Sequence, residues 1–136
     1  MSKNKHTAKH EPVLPPIVIR TDEARHLSLL ANSSMERFPR IAHFLAREMD
    51  RASVVPADAD LRGVVRMGSR VRYCDGKTGD VRDVVLVYPH EADITLRRIS
   101  VLTPVGAALI GLSVGQVIEF QTPSARRSLT VLGVSN

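Results

Sequence analysis

The sequence has no tryptophan and only two tyrosines, three phenylalanines and one cysteine in 136 residues. Each scarcity excludes something. With so few rings, aliphatic side chains have to fill the interior, and a base-stacking nucleic-acid platform, which needs exposed rings, is disfavoured. One cysteine, Cys74, cannot build an intramolecular disulfide framework; it fits a reducing compartment and reads as a small apolar residue in a strand. Long apolar runs are also missing. Val84-Val85-Leu86-Val87-Tyr88 is the longest and is far too short to span a bilayer. The polar N-terminus has no apolar stretch of the signal-peptide kind, so the expected compartment is the cytoplasm.

What is present suggests one compact domain with a small appendage. The formal net charge is +5, unevenly placed. Residues 1–20 carry Lys3, Lys5, Lys9 and Arg20 against Glu11, whereas residues 21–52 balance five arginines against five acids. Residues 1–16 read as a flexible basic tail, ended by Pro12 and Pro15-Pro16. Such a tail either solvates the terminus or adds loose, salt-sensitive contact with nucleic acid.

Helical spacing follows. Ile17-Val18-Ile19 can form a short strand or dock on a neighbour. Thr21 or Asp22 can cap a helix whose first turn holds Asp22 and Glu23, with Ala24, Leu27, Leu30 and Ala31 on one face. Asn32-Ser33-Ser34 interrupts it. A second helix is expected over Met35–Arg51, with Phe38, Ala42, Leu45, Ala46 and Met49 facing inward and Pro39 in its first turn. Together, residues 17–53 predict an antiparallel helical hairpin with Ser33, Ser34, Glu36 and Arg37 at its tip.

Residues 54–68 read as a linker, after which the period becomes that of strands. Ser69–Cys74 and Asp80–Tyr88 flank a turn in which Asp75-Gly76 supplies positive φ. Arg97–Leu102, Gln116–Gln121 and Ser128–Val134 are further strands, the last with Leu129, Val131, Leu132 and Val134 as core candidates. Thr103 as N-cap, Pro104 at the first helical position and Gly111 as terminator delimit a short helix. The fold class is α+β: a short antiparallel helical hairpin, then an antiparallel sheet over residues 69–136 with one short helix.

The stretch Ser100–Leu112 carries a resemblance. It resembles the C-terminal domain of the Gre transcript-cleavage factors, in which a strand runs into a Ser-Pro-x-Ala-x-Ala-Leu-Ile-Gly segment. It is more similar still to the Rnk family, in Val87-Tyr88-Pro89 and Thr103–Leu112. The resemblance implies an FKBP-like C-terminal domain and a non-enzymatic regulator that docks on bacterial RNA polymerase at its secondary channel. It implies docking residues Tyr88, Pro89, Thr103, Pro104 and Val105, although Thr103-Pro104 is equally a well-formed helix start. In the Gre factors a long hairpin presents two acids that recruit Mg²⁺, since a hard cation wants several anionic oxygens. Here the tip offers Glu36 alone, beside Arg37. Helices of about 10–17 residues reach only about 15–25 Å. The implied mechanism is competition with Gre-type factors without transcript cleavage.

No cofactor, metal site, membrane contact or small-molecule substrate is expected. His6 and His10 have i, i+4 spacing but lack a third ligand. His26 and His43, one on each hairpin helix, can approach each other or face solvent. Asp58 and Asp60 fit a cap or turn better than an acid–base dyad. Two alternatives remain: a peptidyl-prolyl isomerase, whose pocket would need several rings where the C-terminal half holds only Tyr73, Tyr88 and Phe120; and nucleic-acid binding through the tail.

Overall fold

The computed structural model describes residues 14–136. His6, His10 and the tail lysines lie outside the described residues.

Strand β1 (Val18–Arg20) runs directly into helix α1 (Thr21–Ser33), and helix α2 (Pro39–Arg51) returns to strand β2 (Ser53–Val55). β1 and β2 pair in parallel, Val18 opposite Ser53 and Arg20 opposite Val55. The two helices are thus the crossover that a parallel pair requires. This closure changes the start of α1. Neither Thr21 nor Asp22 caps it: Arg20 holds the N-cap position without a side-chain bond, because Thr21 is already helical and its hydroxyl donates to the Val55 carbonyl at 2.8 Å. The acidic first turn is as expected, yet Glu23 is buried and pairs with Arg66 at 3.0 Å.

Helix α1 continues through Asn32-Ser33 rather than stopping before them, and α2 begins at Pro39, four residues later than Met35. Phe38 therefore leaves the inward stripe. It occupies the N-cap of α2 with φ −136° and ψ 64° and is 48% exposed. The residue before a proline is driven out of the α region, which is why the helix cannot extend back across Phe38.

The second part is a five-stranded sheet in the order β5-β4-β3-β7-β6, from β3 (Arg70–Asp75), β4 (Val81–Val87), β5 (Arg98–Ser100), β6 (Val117–Gln121) and β7 (Arg126–Ser135). Three of its pairings are antiparallel, but β5 runs parallel to β4, Val85 opposite Arg98. The sheet is thus antiparallel-rich rather than uniformly antiparallel. Short helical turns at Pro89–Glu91 and Ile94–Leu96 carry the chain back from the end of β4 to the start of β5, so that the two run in the same direction.

Two local expectations are corrected. The β3–β4 turn takes its positive φ at Gly79 (78°), not at Gly76. Asp75 shapes it by accepting from the Lys77 and Thr78 amides at 2.8 and 3.1 Å, an Asx-type arrangement. In β7, Arg72 faces Gly133 while Tyr73 faces Val131, so Leu132 is an unmatched bulge residue. A one-residue insertion flips the alternation, and Leu132 is 45% exposed while Leu129 and Val131 are buried.

Helix α3 (Pro104–Leu109) lies where Thr103-Pro104 predicts it. The Thr103 hydroxyl accepts from the Gly106 amide at 3.0 Å and donates to the Ser100 carbonyl at 2.7 Å. Gly111 ends the segment at φ 82°. Leu109 and Ile110 are fully buried.

One core joins the two parts. Ile17, Ile19, Leu27, Leu45 and Met49 from the helical part pack in the same cluster as Leu86, Leu109, Ile110, Leu112, Ile118 and Leu129. Val64 and Val65, inside the stretch read as a linker, are buried too. Hydrogen bonds from the Val65 amide to Leu112 and from Gly111 back to Val65, at 2.8 and 2.9 Å, pin it against the segment between α3 and β6.

Candidate functional site

The tip of the hairpin is a tight loop from Ser34 to Phe38. Ser33 is exposed and its hydroxyl donates back to the Leu30 carbonyl at 3.1 Å. Ser34 is buried; its amide donates to Ala31 at 3.2 Å and its carbonyl accepts from Phe38 at 2.8 Å. It therefore builds the turn. What the tip offers to solvent is Glu36, Arg37 and Phe38, with the Arg37 guanidinium 5.4 Å from the Phe38 ring centre. A cation over an aromatic face is an attractive pair, so the tip presents a basic, apolar knob with one carboxylate beside it.

Phe38 also opens a groove of about 820 Å³ between α2 and the sheet, with Ile41 and Phe44 on one wall and Leu102, Pro104 and Pro123 on the other. Its rim carries Arg40, His43 and Arg47, and no carboxylate lines it. His43 is exposed, as is His26 on α1. Sequence reasoning did not single out this groove. Its signal was the exposed 40, 43, 47 stripe of α2, which reads as an ordinary solvated face until Pro104 is placed opposite.

On the other side of Pro104 is a second concavity of about 600 Å³, lined by Tyr73, Ile94, Ile99, Thr103, Val105 and Arg127 among others. Thr103, Pro104 and Val105 thus form a ridge between two grooves. Tyr88 and Pro89 line neither. Tyr88 is half-buried and stacked near His90, ring centres 6.5 Å apart. Burial, and then the negative charges of Glu23, Asp22 and Glu91, push its hydroxyl pKa up, which sets it beside the start of α1. The five residues expected to dock therefore fall on two surfaces.

The second concavity has one ring, Tyr73, against the several that a proline-holding pocket needs. Among the described residues no group of three or more His, Cys, Asp or Glu side chains could hold a metal. Asp60 accepts from the Arg62 amide at 3.2 Å as a turn residue. Cys74 is half-exposed in β3, its thiol donating to the Asp75 and Gly79 carbonyls at 3.6 Å. No described helix is long and apolar enough to cross a membrane.

The profile described as "Transcription elongation factor, GreA/GreB, C-term" matches residues 59–136, and that described as "Rnk N-terminus" matches residues 15–55. The chain belongs to the Rnk family of GreA/GreB-like factors. It is 36% identical to the regulator of nucleoside diphosphate kinase of Escherichia coli K12 over 80% of each chain. It is 41% identical to the transcription elongation factor GreA of Syntrophobacter fumaroxidans, over 68% of this chain and 59% of that one. The solved GreA/GreB factor of Nitrosomonas europaea superposes with a TM-score of 0.69 at 30% identity, covering 88% of this chain and 99% of that one. The Rnk and Gre kinship makes the chain a transcription regulator, and the ridge at Thr103 lies within the stretch that carried the resemblance.

The sheet beneath that ridge has a titratable tie. The Arg127 guanidinium bonds Asp75 at 2.5 Å. With the Thr78 and Lys77 amides, it holds the Asp75 carboxyl well below its ordinary value of 3.8, at about 2. A carboxylate whose folded pKa is depressed contributes stability that is present above its unfolded pKa and lost as pH falls toward the folded one. We expect Asp75→Asn to be less stable than the parent at neutral pH, and the gap to narrow between about pH 4 and pH 2. Urea midpoints across that range check this; a gap independent of pH would show that the carboxylate charge is not what the fold uses.

Proposed function

We propose that the chain binds bacterial RNA polymerase at the secondary channel, competes there with Gre-type factors, and does not assist transcript cleavage. The observation that carries this reading is the hairpin. Each helix has 13 residues, a reach of about 20 Å. The tip bears Glu36 beside Arg37, where assisted cleavage needs paired carboxylates to hold a hard cation. Such an arm can occupy the channel mouth without supplying chemistry to it.

The ridge Thr103-Pro104-Val105 is the docking element in this reading. Its geometry is fixed by the Thr103 cap and the proline ring, so little side-chain freedom is lost on binding. Tyr88-Pro89 makes a second contact near the base of α1.

Mixing the protein with core polymerase on a sizing column tests the binding, with co-elution expected at micromolar concentration. Absence of co-elution overturns the docking. Adding the protein to polymerase stalled with a Gre factor should suppress stimulated cleavage in proportion to occupancy, and undiminished cleavage would overturn the channel-blocking mechanism.

A further inference from the structure

We propose that the outer face of the sheet, around Arg70, Arg72 and Arg97, binds the phosphodiester backbone of nucleic acid independently of its sequence. This face is separate from the Thr103 ridge, and the proposal stands whether or not the polymerase reading does.

Arg70 and Arg72 are alternate residues of β3, so both point to the same side of the sheet and stand about 7 Å apart along the strand. Their cross-strand neighbours on β4 are Val85 and Asp83. On the β7 side Arg72 is opposite Gly133, where the bulge leaves only a hydrogen in place of a side chain. A groove of about 640 Å³ results, with Arg70, Arg72 and Arg97 among its lining and Asp83 its only carboxylate. Asp83 pairs with Arg72 at 2.9 Å, both partners at least half exposed. Exposed pairs of this kind are weak and exchangeable. Arg70 and Arg97 form no direct salt bridge among the described residues, although Asp83 feels the charge of Arg97 as well as that of Arg72.

Arg97 supplies a second observation. It is the only non-glycine among the described residues with positive φ, at 56°. The left-handed conformation is unfavourable for a residue with a Cβ. At this position, the cap of the Ile94–Leu96 turn, glycine or asparagine would fit without that cost. Its backbone alone does not demand arginine: the amide donates to Ile94 at 3.1 Å and the carbonyl accepts from Val85 at 2.8 Å, bonds any residue can make. An outlier that persists where an easier residue would serve points to a role for the side chain.

The occupant follows from the chemistry. The cations here are arginines, whose planar fork matches phosphate bidentately. No aromatic side chain lines this groove, and Phe38, the one strongly exposed phenylalanine or tyrosine among the described residues, is on the hairpin tip, so this face offers no stack for a base. Charge without rings gives backbone contact rather than base readout.

The test uses the full-length protein and a fluorescently labelled oligothymidylate, read by anisotropy over a salt series. Arg70→Glu with Arg97→Glu should weaken binding by roughly tenfold or more and lower the salt slope by about 2, one per lost phosphate contact. Arg97→Gly separates binding from folding: it should bind more weakly while its melting temperature stays level or rises. A Lys3/Lys5/Lys9→Ala variant reports on the tail. If that variant abolishes binding while the arginine variants leave it unchanged, the sheet-face proposal is wrong. It is also wrong if polyglutamate competes as well as unlabelled oligothymidylate, or if Arg97→Gly binds like the parent.

Discussion

Gly106→Ala should destabilise the protein by about 3 kcal/mol, the upper part of the range for an overpacked site, although alanine is the better helix former by about 1 kcal/mol elsewhere. The reversal of sign comes from contact. A Cβ on Gly106 would meet the Ser100 carbonyl oxygen at 2.1 Å, and the Ser100 carbonyl carbon and Thr103 Oγ1 at 2.9 Å each. Two of these three are backbone atoms, which no rotamer change can move away. Ser100 is the end of β5, where it pairs with Val87. Thr103 Oγ1 is the cap that accepts from Gly106 itself. Relief therefore requires α3 to lift off β5 and to lose its cap. Urea unfolding followed by circular dichroism gives the number; a midpoint within error of the parent would mean that α3 and β5 do not approach this closely. Docking should suffer as well, because the ridge at Pro104 is the first turn of the displaced helix.

Leu45→Ala should cost a further large amount, about 3 kcal/mol for a fully buried leucine, and the more informative outcome is where the loss is felt. Leu45 is on α2 and fully buried in the cluster that includes Leu109, Ile118 and Leu129. The chain has no tryptophan and two tyrosines; Tyr88 borders the start of α1, whereas Tyr73 lies in β3, so in a Tyr88→Phe background tyrosine emission reports the sheet. With one shared core, unfolding is a single transition. The tyrosine-detected midpoint should then drop as far as the helix-detected one. A tyrosine transition that ignores the substitution would mean that hairpin and sheet unfold separately.

How legible the fold was depended on how local its causes are. The α3 start was readable because Thr103, Pro104 and Gly111 act within a few residues of themselves. The β3 and β4 strands were readable for the same reason, through inward Val71, Tyr73 and Leu86. The parallel pairing of β1 with β2 was not: three-residue strands with a whole hairpin between them leave no periodic trace. The bulge at Leu132 left a trace, since the apolar positions step from 129 and 131 to 132 and 134, but only the pairing with β3 shows that Leu132 is the extra, outward residue. Buried Glu23 looked like an ordinary first-turn acid, since its partner Arg66 comes from a stretch read as linker. Glu48, also buried, pairs bidentately with Arg51 one turn on, but only the Pro15 carbonyl reached by the same guanidinium reveals that the pair ties down the chain leading into β1. For the candidate site, the helix start at Thr103-Pro104 was legible as local structure, whereas the basic-rimmed groove beside it required two walls from distant parts of the chain to be brought together.

The ribbon formed by β1 and β2 has a consequence for how this architecture can vary. The chain enters and leaves the helical arm at adjacent points facing the same way, so the arm behaves as a loop held shut at its root. Equal numbers of turns can be added to or removed from α1 and α2 without changing anything at the root, since matched insertions preserve both the return point and the inward stripe. Reach is thereby uncoupled from anchorage: one anchoring body accepts arms of different length, and the length sets how deep a tip can probe.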